Sequence, residues 1–394
     1  MIQKFIFAFV LLISSSIIYA QTASLEDVLS GIEANNKQLQ ANKQETIVQK
    51  LEAKTDNNLP DPTVSYAHMW GKHNSNETIS EMVVSQSFDF PTLYATRSKM
   101  NKLRMGAFDS QAESFRRDLL LQAKEVCLDI IMLRQQKQIL DERLKNAQAL
   151  SDMYAQRLQN GDASILETNK INLELLNVKT EANLNTSALN NKLQELAVLN
   201  GNNPINFVGT DYPVMVLPPD YETLRSEVLA SDMSLYALDR EAAASRVELN
   251  LNKSQWLPKL ELGYRRNTES GNPFNGFVVG FSVPLFENRN KVKMARAQSL
   301  NLNYQKENKT LEIESELAQQ YREAQTVRSS MEEYEKTFAA QSDLELLKQA
   351  LMGGEISMIE YFVEVSVVYQ SKINYIQLQN QYQKVMAKIY KHRL

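Results

Sequence analysis

Two periods run through the chain. Leu119, Ala123, Val126, Ile130, Leu133, Leu140, Leu144, Ala147, Tyr154 and Leu158 step alternately by four and three, with only Lys137 and Ser151 off the pattern. That step keeps one face of an α-helix turned toward a partner. It predicts an uninterrupted helix over about 92–158, roughly 100 Å long at 1.5 Å per residue. Leu317, Tyr321, Ala324, Met331, Tyr334, Phe338, Leu344, Leu347 and Leu351 predict its counterpart over about 288–351. Asn160-Gly161 and Gly353-Gly354 close these stretches, glycine being suited to the left-handed position that ends a helix. Return helices are expected over about 164–200 and 357–390. Two helical hairpins of coiled-coil character follow, at about 92–200 and 288–390.

Four other segments alternate with period two. Over about 62–71, Val64, Tyr66, His68 and Trp70 oppose Thr63, Ser65, Ala67 and Met69. Over about 79–90, Met82, Val84, Phe88 and Phe90 oppose Val83, Ser85, Ser87 and Asp89. Segments at about 259–267 and 276–286 place Leu260, Leu262, Tyr264, Phe277, Val279, Phe281, Val283 and Leu285 on their apolar faces. Any half-buried strand alternates, but aromatic segments of about 9–11 residues, apolar on one side and polar or small on the other, match transmembrane barrel strands. Tyr66, Trp70, Phe88, Phe90, Tyr264, Phe277 and Phe281 are then the lipid-facing candidates. Four strands cannot close a barrel, since the smallest have about eight. If these face lipid, several chains share one barrel.

The two sets of elements recur in order. Gly161-Asp162-Ala163-Ser164-Ile165-Leu166-Glu167 is echoed by Gly354-Glu355-Ile356-Ser357-Met358-Ile359-Glu360, and Phe88-Asp89-Phe90-Pro91 by Phe281-Ser282-Val283-Pro284. Both offsets are 193 (354 − 161 and 284 − 91). The chain therefore reads as one unit written twice, residues 21–200 and 221–394, each with the order helix, strand, strand, long helical hairpin. Residues 201–220, with Pro204, Pro213, Pro218 and Pro219, read as the linker. Pro60, Pro91, Pro258 and Pro284 fall at the four joints between helix and strand, where the residue before proline is pushed out of helical space.

Composition narrows the function. Only 12 glycines and 10 prolines in 394 residues leave few turns, so the elements must be long. The net charge of −4, with no basic stripe, gives no sign of nucleic-acid binding. The lone Cys127 excludes disulfide stapling and a cysteine zinc site. His68, His73 and His392 lack zinc-ligand spacing, and Gly353-Gly354 lacks the lysine of a phosphate loop. The inventory points away from an enzyme and calls for no cofactor or metal. Residues 1–20 carry Lys4, an apolar run from Phe5 to Ile13 and Ile18-Tyr19-Ala20 before Gln21, the three parts of a secretory signal peptide. The run is too short to span a membrane, which takes about 20 residues.

In its duplicated order, its four strands and its two glycine turns followed by Ser164-Ile165-Leu166-Glu167 and Ser357-Met358-Ile359-Glu360, the chain resembles the TolC-type outer-membrane efflux proteins. The resemblance implies a mainly α fold with a transmembrane β part. Three protomers would share a twelve-stranded β-barrel in the outer membrane that continues into an α-helical tunnel across the periplasm. It implies a passive exit duct of a tripartite efflux or type I-like secretion system. Its partners would be further copies of itself, a periplasmic adaptor, an inner-membrane pump and outer-membrane lipid. Gly161, Asp162, Gly353, Gly354 and Glu355 would form the tips an adaptor grips. Glu360 best matches the acidic constriction of that family's periplasmic entrance. Its second carboxylate falls near Val363 here, leaving Glu364 and Glu167 as further candidates. A glutamate at a helix start is also favoured by the helix dipole alone, and so are Asp162 and Glu355. The structural alternative is a periplasmic coiled-coil adaptor or scaffold, which has no use for lipid-facing aromatic strands.

Overall fold

The computed structural model describes residues 24–72, 77–340 and 344–394. The expected signal peptide and His73 lie outside the described residues. The element order is α1 (Leu25–Asn35), α2 (Lys37–Thr55), β1 (Thr63–Trp70), β2 (Thr78–Phe88), α3 (Pro91–Asn160), α4 (Ile165–Leu199), α5 (Tyr221–Ser231), α6 (Met233–Ser254), β3 (Lys259–Glu269), β4 (Asn272–Ser282), α7 (Lys291–Ala340), α8 (Leu344–Met352) and α9 (Met358–Ile389), ending in a 3-10 turn (Lys391–Arg393).

Two helices, not one, precede each strand pair. The break falls at Asn36 and at Asp232, both in extended backbone. Each residue caps the helix that follows: Asn36 Oδ1 accepts from the Leu39 N–H at 2.9 Å, and Asp232 Oδ1 from those of Ser234 and Leu235 at 2.9 and 3.0 Å. Such caps satisfy donors a helix start would otherwise leave open. The expected helix over 288–351 is described as α7 and α8, with residues 341–343 outside the described set.

By contact the chain forms two compact units. One joins Asn35 and the described residues before it to Val126–Pro213; the other joins Asn36–Glu125 to Val214–Leu394. In the first, Ile130, Leu133, Leu140, Ala147 and Tyr154 of the α3 seam are buried, as are Ile171, Val178 and Leu196 of α4. Arg143 bridges the hairpin, pairing with Glu174 at 2.6 Å and Glu181 at 2.8 Å. The chain after α4 is held down rather than loose. Arg134 donates to the carbonyls of Phe207 and Gly209 and lies over the Phe207 ring, while Gln135 donates to the Thr210 carbonyl at 2.7 Å. Cys127 is buried here, which pushes its thiol up to about 12, so it behaves as a small apolar residue and not a nucleophile.

In the second unit α7 packs against α5, α6 and α9. Leu224, Leu317, Tyr321, Ala324, Val327, Tyr382, Val385, Met386 and Ile389 form its largest described core cluster, with Leu217 of the linker. The linker is tied to that core by hydrogen bonds: Tyr321 Oη donates to the Pro218 carbonyl at 2.9 Å and Tyr390 Oη to the Val216 carbonyl at 3.0 Å.

The sheet belongs to the second unit. Its four strands lie in the order β1-β2-β3-β4, all antiparallel. β4 begins four residues earlier than alternation alone indicates, at Asn272. The cause is the two-residue turn Ser270-Gly271, both at positive φ (46° and 88°), which pairs Glu269 with Asn272. That backbone matches the twist of a tight hairpin. β4 stops at Ser282, because Val283 precedes Pro284 and Pro284 has no N–H for the ladder.

Candidate functional site: the sheet faces and the hairpin tips

Cross-strand pairing assigns each strand residue to a face, since residues directly opposite share one. Tyr66 pairs with Met82, Met82 with Arg266, Val84 with Tyr264, Tyr264 with Phe277, Leu262 with Val279 and Leu260 with Phe281. From the helix joints to the row Val64–Val84–Tyr264–Phe277 that face is mostly aromatic and aliphatic across all four strands, and it turns polar toward the β3-β4 turn. It is also open: Phe277 is 91%, Trp70 77%, Phe281 70% and Val279 61% exposed. The other face carries Ser65, Ala67, Glu81, Ser85, Ser87, Glu261, Gly263, Arg265, Gly276 and Gly280. Of the charges there, Arg265 pairs with Glu81 at 2.5 Å.

Of the seven lipid-facing candidates, Tyr66, Trp70, Phe88, Tyr264, Phe277 and Phe281 lie on the apolar face of the strands. Phe90 does not. β2 ends at Phe88, because the Asp89 N–H donates to Tyr94 Oη at 3.0 Å and the Asp89 carboxylate pairs with Arg97 at 2.6 Å. These contacts take the chain out of the ladder. Phe90 sits in the joint instead, lining a groove of about 440 Å³ with Phe88, Tyr94, Pro258, Leu260, Leu262 and Phe281.

The two hairpin tips are built alike. Gly161 and Gly354 take φ of 83° and 75°. The next N–H, of Asp162 or Glu355, returns to the carbonyl of Arg157 (2.8 Å) or Ala350 (2.9 Å), while the glycine N–H bonds that of Leu158 (3.2 Å) or Leu351 (3.1 Å). This is the Schellman closure, and it needs the left-handed glycine. Three residues on, Ser164 and Ser357 accept from the N–H of Glu167 and Glu360 at 3.2 Å, and each glutamate carboxylate accepts from its serine's N–H at 2.8 Å. The recurring Gly-acid-apolar-Ser-apolar-apolar-Glu string is therefore a helix stop joined to a capping box.

Glu360 is exposed and Glu167 half-buried, and each is engaged in holding the start of its own helix. Glu364 is exposed one turn further along α9. The serine N–H first, and the serine hydroxyl second, hold both capping carboxylates below the usual glutamate range. A lowered folded pKa contributes stability above the unfolded value, about 4.3, which is lost as pH falls through the folded one. Amide protection at the first turns of α4 and α9, read as exchange relative to the unfolded chain at the same pH, is expected to fall on acidification through that window. Unchanged protection at pH 3 would show that the boxes do not hold the tips.

Around the caps the return helices expose apolar stripes: Leu166, Leu173, Leu176 and Leu184 on α4, and Ile359, Val363 and Val367 on α9. Among the described residues, no helix is long and apolar enough to cross a membrane, and no group of three or more His, Cys, Asp or Glu could hold a metal.

Residues 224–392 match the model of the outer membrane efflux protein family. No curated protein matches the sequence significantly. Solved structures do match in fold over nearly the whole chain. A membrane protein from Pseudomonas aeruginosa is 14% identical, over 93% of each chain, with a TM-score of 0.80. The outer membrane protein VceC of Vibrio cholerae is 14% identical over 93% of this chain and 95% of its own, with a TM-score of 0.75. The open-state MtrE outer membrane channel of Neisseria gonorrhoeae is 14% identical over 94% and 88%, also at 0.75. At such identities the likeness is one of fold, and the sequence match covers residues 224–392. The chain is thus similar to the outer membrane efflux protein family over residues 224–392, and over nearly its whole length it shares the fold of solved outer membrane channels.

Proposed function

We propose that the chain is the outer-membrane exit duct of a tripartite efflux or secretion system, working as a trimer whose helices extend into the periplasm. The carrying observation is the sheet. It has one exposed apolar face, one polar face and two unpaired edges, β1 and β4. An open edge and an exposed apolar face are liabilities in water and become useful only when copies close into a barrel within lipid. Three copies would supply twelve strands, with the polar face lining the pore. A periplasmic adaptor scaffold would need no such sheet. The duct uses no fuel and no catalytic group. A pump supplies the energy, and an adaptor grips the tips at Gly161, Asp162, Gly353, Gly354 and Glu355. The exposed stripes of α4 and α9 fit helix contacts with neighbouring copies or with that adaptor.

At the tip of the second hairpin, three copies of Glu360, supported by Glu364, would form a cation-attracting constriction, with Glu167 as its counterpart in the first hairpin. Because Glu360 also caps its helix, two substitutions separate the roles. Glu360→Gln keeps a hydrogen-bond acceptor and removes the charge, whereas Glu360→Ala removes both. In planar bilayers both variants are expected to lose cation preference and change conductance several-fold, with extra current noise for the alanine variant alone. Wild-type currents from Glu360→Gln would remove Glu360 from the gate, and no channel activity from the wild-type protein would contradict the duct.

A further inference from the structure

The strand pair β2-β3 carries two adjacent arginines with opposite surroundings. Arg265 is on the polar face, paired with Glu81. Arg266 is on the apolar face, in the row Tyr66–Met82–Arg266–Asn275. It is exposed and makes no hydrogen bond or ion pair among the described residues. No strand residue of that face is acidic, so nothing on it answers the charge. β3 is an inner strand, so a copy joining at β1 or β4 does not cover Arg266.

Its position along the strands is informative. On the helix side the next row is apolar, Val64–Val84–Tyr264–Phe277, and beyond it Leu262, Val279, Phe88, Leu260 and Phe281 continue the apolar face, with Gln86 opposite Leu262 the one polar residue of these rows. On the turn side the row is His68–Ser80–Thr268–Pro273, with His68 Nδ1 2.7 Å from Ser80 Oγ and the His68 ring edge-on to Trp70. Arg266 therefore marks the boundary where the apolar band gives way to a polar belt. Beside it, Asn275 Oδ1 accepts from Tyr264 Oη at 2.8 Å, leaving the Asn275 amide N–H groups as further donors. A cation on a lipid-facing surface is costly at the bilayer midplane and nearly free at the interface. There the nearest abundant anion is a lipid phosphate, and the guanidinium fork suits its oxygens.

We propose that Arg266, with Asn275, seats a phosphate of an outer-leaflet lipid at the outer rim of the sheet's apolar face. This rests on the reading of the chain as an outer-membrane duct, in which the turn Ser270-Gly271 faces outward and the helix joints face the periplasm. The site anchors the rim of the barrel at its proper depth.

The test uses the full-length trimer extracted from outer membranes and titrated with bisphosphorylated lipid A, reading the temperature at which trimers fall to monomers on gels. Lipid A is expected to raise that temperature for the wild type. Arg266→Gln should need about tenfold more lipid for the same protection. Arg266→Lys should lie between, and dephosphorylated lipid A should protect wild type and Arg266→Gln alike. Asn275→Asp, which sets a competing carboxylate beside the guanidinium, is the second variant and should also need more lipid. Equal lipid dependence of wild type and both variants would overturn the proposal, as would equal protection by inorganic phosphate. Failure of the wild type to fractionate as an outer-membrane trimer, scored before any lipid is added, would instead overturn the duct reading.

Discussion

Replacing Val279 with arginine is expected to keep the protein from assembling in the outer membrane. Val279 is in the middle of the apolar face, opposite Leu262 and flanked two residues either side by Phe277 and Phe281. If that face meets the hydrocarbon, arginine there costs about 2–4 kcal/mol in every chain, and assembly repeats the cost in each protomer. The folded margin of a whole domain is only about 5–15 kcal/mol. The matching control is on the other face. Ser87→Arg, opposite Glu261, adds the same side chain where water and an acid await it. It should assemble normally and alter only conductance. Membrane fractionation and heat-modified gel mobility read the difference. Equal assembly of the two variants would mean that the apolar face does not meet lipid.

The second large effect is expected in the helical core. Tyr321 on α7 is buried among Leu317, Ala324, Tyr382 and Met386, its ring edge-on to Tyr221 with centroids 5.2 Å apart. Its hydroxyl donates to the Pro218 carbonyl, so one side chain ties α7, α5 and the linker together. Tyr321→Ala removes the ring and leaves a cavity, a change that costs about 3–5 kcal/mol. Tyr321→Phe keeps the ring and loses one hydrogen bond, about 1 kcal/mol. Denaturant unfolding of the detergent-solubilised protein measures both. Similar losses for the two variants would show that the hydroxyl, and not the packing, holds the linker.

What could be read from the sequence divides by the range of the signal. The strand faces and the tips depend on neighbours a few residues apart. Alternation from Leu260 to Tyr264 and from Phe277 to Phe281 assigns the faces directly, and Gly161 with Ser164 and Glu167 encodes its own turn. The break between α1 and α2, and between α5 and α6, was equally local but faint. Asn36 with Leu39, and Asp232 with Leu235, are capping signals, each ahead of a strand pair and set within otherwise continuous helical sequence. The start of β4 was carried by Ser270-Gly271, a turn pair whose weight shows only once both residues take positive φ. Phe90 leaves the strand for a reason no alternation reveals. Tyr94 and Arg97, four and seven residues beyond Phe90, capture Asp89 and end the strand. Arg266 has the same origin: a charge on an apolar face stands out only when the register shows that no acid shares it.

On the proposed reading, the apolar sheet face, the open edges at β1 and β4 and the exposed stripes on α4 and α9 share one explanation, that the chain is completed by its copies. The most direct measurement is the mass of the detergent-solubilised protein extracted from outer membranes, by light scattering corrected for bound detergent. A protein mass three times that of the chain, converting to monomer only on heating, is the predicted result. A stable monomer, or extraction without detergent, would contradict it.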